Sequence, residues 1–232
     1  NGDLVVSGGS ASVAGTTTAS GSYTGGIPGT GGAPELPVPE VRASDYLAYA
    51  DFILTSGGTM TNQMGTVLCA ATPCNNWSFN SGSGEWSFNS TAPTTGTYYV
   101  EGDVSVTGSP GSAASPVQIT IIAEGSIDIS GSPDVTSHTP ELLFVTDGDL
   151  EISGGLDAGN PLTASGQILV HEQVKLSGNP SIAGQLIVEN AASVSTLVTA
   201  NDLSGNVTIT YNGGLGGGTF SVRGWRDVRD AN

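Results

Sequence analysis

A short strand followed by a Ser-Gly or Thr-Gly corner recurs four times between residues 102 and 180 of this chain. The copies read GDVSVTGSP, GSIDISGSP, GDLEISGGL and QVKLSGNP. The glycines of these corners, separated by 23, 23 and 24 residues, are Gly108, Gly131, Gly154 and Gly178. A strand and a corner repeated at this interval indicate a solenoid, in which each repeat forms one coil and stacks on the next.

A longer apolar strand precedes each short strand. These strands read TYYVEG, TIIAEG, LFVTDG and ILVHEQ, and a fifth, QLIVEN, follows at 185–190. Hairpin sheets would not place equivalent residues at equal long intervals, and the Leu and Asn spacing of leucine-rich repeats is absent. We therefore predict an all-β fold, a right-handed parallel β-helix (β-solenoid) of about 23 residues per coil. Equivalent residues such as Val104, Ile127, Leu150 and Val174 should form an inward-facing ladder.

The chain is predicted to have three parts. A first solenoid strand or coil occupies 1–14, an inserted or flanking subdomain occupies 15–96, and the main solenoid with a C-terminal cap occupies 97–232. Charged residues make up only 11% of the chain, and its 35 glycines suit strands and tight turns. Because the sequence opens within a repeat-like strand, we expect it to be a mature or truncated piece of a longer precursor.

The predicted flanking subdomain contains one short helix and one hairpin. The segment SDYLAYADFIL at 44–54 has apolar residues on one helical face, and Ser44 can cap it. The sequence WSFNS occurs twice, at 77–81 and 86–90, and the connection SGSGE between the copies predicts a β-hairpin.

The chain has two cysteines, Cys69 and Cys74, in the sequence CAATPC. Their spacing does not match a zinc site, and we predict a disulfide between them. A bond closing so small a loop is worth about 2 kcal/mol. Such a bond implies an oxidising compartment, whereas two free thiols would be compatible with the cytosol.

The acidic balance of the chain excludes two classes of partner. The formal net charge is −16, from 21 acidic and 5 basic residues. Nucleic acids and anionic membrane surfaces both require a basic surface, so we predict contact with neither. The chain also has no apolar stretch of the roughly 20 residues that span a membrane.

A carboxylate follows each of the long apolar strands, at Glu101, Glu124, Asp147, Glu172 and Glu189. In a β-helix these side chains would stack in one column about 5 Å apart, where like charges repel. Four of them, Glu101, Glu124, Asp147 and Glu172, are a candidate Ca²⁺ or Mg²⁺ site, because hard cations prefer carboxylate oxygens. The alternative is a solvated acidic edge. The GGxGxD repeat of calcium-binding β-helices is absent, and no other cofactor is predicted.

Aromatic and basic side chains are the candidates for contact with a partner or a glycan. Trp77 and Trp86 belong to the predicted hairpin, and either they are exposed for binding or they pack on the solenoid. Arg226 lies in the cluster of arginines near the C-terminus, which is the one basic patch of the sequence. No nucleophile motif accompanies His171, which adjoins Glu172, so we predict a protein that is not an enzyme.

The quoted repeats, together with PVPEVRASDYLAYADFILTSGGT and the terminal GWRDVR, resemble the C-terminal domain of PilX-like type IV pilus-assembly proteins. The resemblance covers nearly the whole chain. It implies a pilin-like, pilus-associated protein of a Gram-negative bacterium, located at the cell surface or outside the cell and in the periplasm before export. The partners it implies are pilus or other surface-filament subunits, and it supplies no catalytic motif.

Two other functions are compatible with the sequence. One is an autonomous secreted subunit that self-assembles into a filament through its solenoid ends or edges. The other is a carbohydrate-binding adhesin or a polysaccharide lyase, since some parallel β-helices are enzymes of that kind. The scarcity of Lys and Arg in the repeats weighs against the lyase.

Overall fold

The computed structural model describes residues 4–6, 17–18, 23–25, 29–32, 40–158, 166–191, 194–211, 218–222 and 225–226. The chain forms two compact units, residues 1–39 and 40–232. In the first unit, strand β1 (Leu4–Val6) pairs in parallel with β3 (Tyr23–Gly25), and β2 (Thr17–Thr18) with β4 (Gly29–Thr30). Strand β1 lies within the segment 1–14 that the sequence assigned to a first solenoid strand or coil, and its partner β3 lies in the same unit.

The second unit is almost entirely β structure. In chain order its strands are β5 (Phe52–Leu54), β6 (Met60–Asn62), β7 (Val67–Cys69), β8 (Ser78–Asn80), β9 (Glu85–Phe88), β10 (Gly96–Val100), β11 (Val104–Val106), β12 (Val117–Ala123), β13 (Ile127–Ile129), β14 (Asp134–Thr136), β15 (Leu142–Thr146), β16 (Leu150–Ile152), β17 (Asp157–Ala158), β18 (Gln167–Val170), β19 (Val174–Leu176), β20 (Ser181–Ala183), β21 (Leu186–Val188), β22 (Asp202–Leu203), β23 (Val207–Tyr211), β24 (Gly218–Val222) and β25 (Trp225–Arg226). A single 3₁₀ helix, Ala43–Tyr49, precedes them among the described residues of this unit.

Parallel strands stack on three faces, and each coil from β10 onward contributes a strand to all three. The first face has the order β5-β10-β12-β15-β18-β21. The second has the order β9-β11-β13-β16-β19-β22. The third begins with the first two residues of β12 and continues β14-β17-β20-β23. Equivalent strands lie about 23 residues apart and form a β-solenoid of about five turns, which confirms the predicted fold class.

The core is a set of apolar ladders that run along the solenoid. Val104, Ile127, Leu150 and Val174 are Cα partners from coil to coil, and each is at most 2% exposed. The predicted inward ladder is therefore confirmed. Because every inward side chain packs on its equivalents in adjacent coils, the stability of one coil depends on its neighbours.

Antiparallel strands cap two faces at each described end of the solenoid, whereas β21 ends the first face with β18 as its one described partner. At the N-terminal end, β8 pairs with β9, and β6 joins β5 to β7. The pairing of β8 with β9 is the predicted WSFNS hairpin. At the C-terminal end, β24 pairs with β23 and β25 pairs with β22, as expected for a cap.

The predicted helix at 44–54 is too long. The helix begins at Ala43, is of the 3₁₀ type and ends at Tyr49, and Ser44 does not cap it. Phe52–Leu54 is instead strand β5, which pairs in parallel with β10. The apolar spacing of this segment fits a helix as well as a strand. Pairing with β10 favours the strand, because it buries Leu54 fully in the apolar ladder.

Part of the predicted flanking subdomain belongs to the solenoid itself. Strands β5 and β9 continue the first and second faces in parallel register. The boundary between the compact units falls between Pro39 and Glu40, whereas the sequence suggested boundaries after residues 14 and 96. The coil that contains β5 and β9 was missed because its connecting loops are longer and differ in sequence from the later repeats.

Candidate functional site

The predicted acidic column lies at the corner between the first and second faces, but a residue other than Glu172 occupies its fourth position. Backbone hydrogen bonds place Asp147 on the coil after Glu124, then His171, then Glu189. His171, and not Glu172, therefore occupies the fourth position. The spacing from Asp147 to His171 is 24 residues, which matches the repeat better than the 25 residues to Glu172. We call Glu101, Glu124, Asp147, His171 and Glu189 the corner column.

Glu172 has a different structural role from the one predicted. Its side chain is buried, and its two carboxylate oxygens accept hydrogen bonds from the backbone N–H groups of Val194 (2.7 Å) and Ser195 (3.0 Å). It therefore holds the loop before β22 against the solenoid. Glu172 therefore lies outside the column in which the sequence placed the candidate metal ligands. Within the described residues, no group of three or more His, Cys, Asp or Glu side chains is arranged to hold a metal ion.

The carboxylates of the corner column accept hydrogen bonds from nearby segments of the same chain. Glu101 accepts from the backbone N–H of Ser56 at 3.1 Å. Glu124 accepts from the Tyr99 hydroxyl at 2.6 Å, an interaction that links two adjacent coils. These contacts, together with those of Asp147 and Glu189 below, reduce the repulsion that a bare stack of carboxylates would suffer.

Asp147 and Glu189 hold a segment that crosses the first face. The Ala43 N–H donates to Asp147 at 2.6 Å, and the Val41 N–H donates to Glu189 at 3.0 Å. Glu189 also lies 2.6 Å from the Nδ1 atom of His171. Residues 40–50, which we call the strap, are thereby fixed at one end to two members of the column, Asp147 and Glu189.

The strap covers an apolar stripe on the outer side of the first face. Its residues Val41, Ala43 and Ala50 are buried against side chains that point away from the solenoid core. The buried members of this stripe are Tyr99, Ile122, Leu142, Val145 and Leu169. The continuous apolar composition of the long strands indicates this second buried side, because a strand with one solvent-facing side would alternate with polar residues. The sequence of the strap has no pattern that predicts its position on this face.

The environment of the strap attachment shifts two pKa values in opposite directions. Burial raises the pKa of Asp147 above its ordinary value, although the hydrogen bond from Ala43 opposes this effect. Burial acts in the same direction on Glu189, but the hydrogen bonds from Val41 and His171 outweigh it and hold the pKa of Glu189 below its ordinary value. Glu189 therefore favours its charged form, in which it is the stronger acceptor.

A second polar column, absent from the sequence-based predictions, lies two residues further along each coil. The carboxylate of Asp103 accepts the Ser126 N–H, the Ser126 hydroxyl accepts the Asp149 N–H, and Asp149 accepts the Gln173 N–H, at 2.7, 3.0 and 3.0 Å. Asp149 also accepts from Val198 at 2.9 Å. Each side chain thus satisfies a corner N–H of the next coil. The repeated placement of a small polar residue after the corner in EGD, EGS and DGD was the available signal.

The two tryptophans predicted as contacts are buried. Trp77 and Trp86 are both 0% exposed, and the Trp86 indole donates to the Thr55 carbonyl at 3.0 Å. They pack in the core at the N-terminal end, so of the two alternatives left open by the sequence, exposure for binding or packing on the solenoid, the structure has packing. The adjacent Cys69–Cys74 disulfide is present as predicted.

Of the C-terminal arginines, only the backbone of Arg226 is described, in strand β25. The side chain of Arg226 and the remainder of the basic cluster lie outside the described residues.

His138 lies 3.2 Å from the carboxylate of Asp51, near the start of the first face. No described helix is long and apolar enough to cross a membrane.

A polar groove of about 330 Å³ lies at the β8–β9 end of the second face, on the side away from the core. The residues that line it are Pro73, Asn76, Ser78, Glu85, Ser87, Phe88, Asn89, Thr91, Ser105 and Thr107. Hydroxyl and amide groups predominate, and one carboxylate is present. Sequence reasoning missed this groove because its walls come from loops and strands of different coils.

Comparisons of the chain with protein-family models, with curated proteins and with solved structures find no match. The class that the fold defines is a parallel β-solenoid with a strap along one face.

Proposed function

We propose that this chain is a non-enzymatic, extracellular structural module of a pilus-associated, pilin-like protein, and that it mediates assembly or surface contact. The observation that carries the structural role is the use of the acidic residues. Asp147, Glu189, Asp149 and Glu172 accept hydrogen bonds from the chain's own backbone. Side chains committed in this way brace the coils.

Association with a pilus rests on the sequence resemblance to PilX-like proteins. The Cys69–Cys74 disulfide supports an oxidising compartment such as the periplasm or the cell exterior. The net charge of −16 favours a soluble, exposed surface module.

The ends of the described solenoid weigh against the alternative of a self-stacking filament. Coil-on-coil stacking requires a free parallel strand edge at each end. At the N-terminal end the first and second faces finish in the antiparallel strands β6, β7 and β8, and at the C-terminal end the second and third faces finish in β25 and β24. Among the described strands β21 pairs with β18 alone, so the first face has a parallel edge at its C-terminal end. We therefore favour incorporation into an assembly of other subunits over polymerisation of this module.

The experiment that tests this function is immunogold labelling of surface filaments sheared from the source bacterium, with antibody raised against residues 40–232. We expect label on the pili and fewer pili in a deletion strain. Complementation with Gly131→Ala, which disrupts a corner, should fail, whereas Gly57→Ala at an open turn should restore the pili. Label confined to the culture medium, with normal pili in the deletion strain, would contradict the proposal.

A further inference from the structure

We propose that the groove on the second face binds a neutral, hydroxyl-rich oligosaccharide, with Ser87, Ser105 and Thr107 hydrogen bonding to its hydroxyl groups. This site is independent of the pilus-associated role, because it does not involve the corner column or the strap. Its location was unexpected, since the aromatic residues suggested for glycan binding by the sequence are buried.

The first argument is the row of serine hydroxyls along the groove. Ser78 is the Cα partner of Ser87, and Ser87 is the partner of Ser105, so the three lie on adjacent strands about 4.8 Å apart. None of the three hydroxyls makes a hydrogen bond to another described residue. Each hydroxyl can donate and accept, as can the hydroxyls of a sugar. A regular row of this kind suits an extended ligand with hydroxyls at regular intervals.

A second row of polar groups runs beside the first. The backbone N–H of Thr107 donates to the Phe88 carbonyl, which places Thr107 beside Asn89 on the neighbouring coil. Both side chains are exposed and line the groove. Asn76, on the opposite loop, is oriented by its bond to the Ala92 carbonyl at 2.7 Å. A ligand in the groove would therefore meet polar groups from two rows and one loop.

The third argument is charge. The lining of the groove lies within the described residues and contains no Lys or Arg. Glu85 is the one carboxylate in the lining, and burial together with the charges of Asp103 and Asp128 raises its pKa. Lys175, further along the same face, is paired with Glu151 at 2.5 Å. An anionic sugar would find no cationic side chain in this lining and would be repelled by Glu85 and by the net charge of −16, so the ligand class that we propose is neutral.

The small apolar surface of the groove also favours a sugar. Most small-molecule sites are lined mainly by apolar side chains. Here Pro73 contributes an exposed ring, whereas Phe88 is only 3% exposed and offers little area. A large apolar ligand would gain little from this surface, whereas a sugar needs only a small apolar patch for its C–H groups.

The test is isothermal titration of the full chain with neutral hexasaccharides of glucose, mannose, galactose and N-acetylglucosamine, and with a galacturonate hexamer. We expect at least one neutral sugar to bind, and the galacturonate hexamer to bind about tenfold more weakly or not at all. In the double variant Ser87→Ala, Thr107→Val, the affinity for the neutral sugar should fall about tenfold, as expected for two lost hydrogen bonds.

The matched control is the double variant Ser130→Ala, Ser153→Ala. Ser130 and Ser153 follow β13 and β16 at positions equivalent to Thr107, but they lie outside the groove. This control should keep its affinity within about twofold, which is small beside the expected loss in the groove variant. Both double variants should melt at the wild-type temperature. The proposal is overturned if no neutral sugar binds, if the groove variant binds as tightly as the control, or if galacturonate binds best.

Discussion

At the scale of single residues, the corners of the solenoid are defined by what can fit between stacked coils. Gly108, Gly131, Gly154 and Gly178 stack on one another in successive coils, and the repeated Ser-Gly or Thr-Gly sequence marks their positions. Two residues beyond the neighbouring corner column, short polar side chains bond to the backbone of the next coil. The polar side chains accept hydrogen bonds from backbone N–H groups at the corners, where the pairing of strands is interrupted. The glycines leave room at the corners for the backbone of the adjacent coil.

Replacement of Gly131 by alanine should destabilise the second unit. A Cβ atom there would overlap the Gly108 carbonyl oxygen and lie 2.6 Å from its carbonyl carbon. Because both groups are backbone, relief requires the coils to separate, and we expect a loss of at least about 2 kcal/mol in the free energy of unfolding. Urea denaturation followed by circular dichroism measures this quantity.

The control for this substitution is Gly57→Ala. The contact that a Cβ would make at Gly57 is at 3.8 Å to the Thr55 hydroxyl, an ordinary van der Waals distance. The control should change the free energy of unfolding by less than about 0.5 kcal/mol. Equal effects of the two substitutions would show that the stacked corner is not the constraint.

At the scale of elements, the strap has little regular structure of its own and depends on the first face for its position. Its 3₁₀ helix has seven residues and no side-chain N-cap. Apolar contacts with residues such as Ile122 and Val145, and two carboxylate acceptors at the corner, hold it in place. An element secured by few contacts is a candidate for local opening without unfolding of the solenoid.

Removal of one acceptor should loosen the strap. In Asp147→Ala, the Ala43 N–H loses its carboxylate acceptor, and the expected cost of roughly 1.5 kcal/mol corresponds to about tenfold faster amide exchange in residues 40–50. Hydrogen–deuterium exchange with mass spectrometry measures this rate. Glu101→Ala is the matched control, because Glu101 belongs to the same column but bonds to Ser56, outside the strap. If both variants gave the same exchange in the strap, the attachment through Asp147 would be refuted.

At the scale of the whole molecule, the excess of acidic over basic side chains determines how the stability of the fold depends on pH. Burial raises the pKa values of Asp128, Asp147 and Glu85, and neighbouring carboxylates add to the shift in each case. A carboxylate with a raised pKa in the folded state binds its proton more tightly when folded. The stability that this group adds to the folded state is therefore fully present below its unfolded-state pKa and is lost as the pH rises through its folded-state pKa.

The melting temperature should consequently rise as the pH falls from neutrality toward the ordinary aspartate and glutamate pKa values, about 4 to 4.5. The lowered pKa of Glu189 acts in the opposite direction, but its contribution is lost only below the ordinary glutamate range. Differential scanning calorimetry across this range measures the effect, and Asp128→Asn should reduce the rise. Repeating the series at about 1 M salt screens the general repulsion between surface charges, so the part that persists belongs to the partly buried carboxylates Asp128, Asp147 and Glu85. A melting temperature that is flat or falls on acidification would contradict the assignment.

The sequence alone determined the coil, because the repeat of Val and Ile positions, corner glycines and apolar strands has a period that only stacked coils explain. It also indicated the disulfide, since Cys69 and Cys74 had no other pattern to fit. Tertiary structure decided the rest. Phe52–Leu54 became a strand because β10 was there to pair with it, and His171 entered the corner column because register follows backbone hydrogen bonds and not residue type. The strap and the groove join residues from distant parts of the chain, and a local pattern carries no information about such contacts until the coils are stacked.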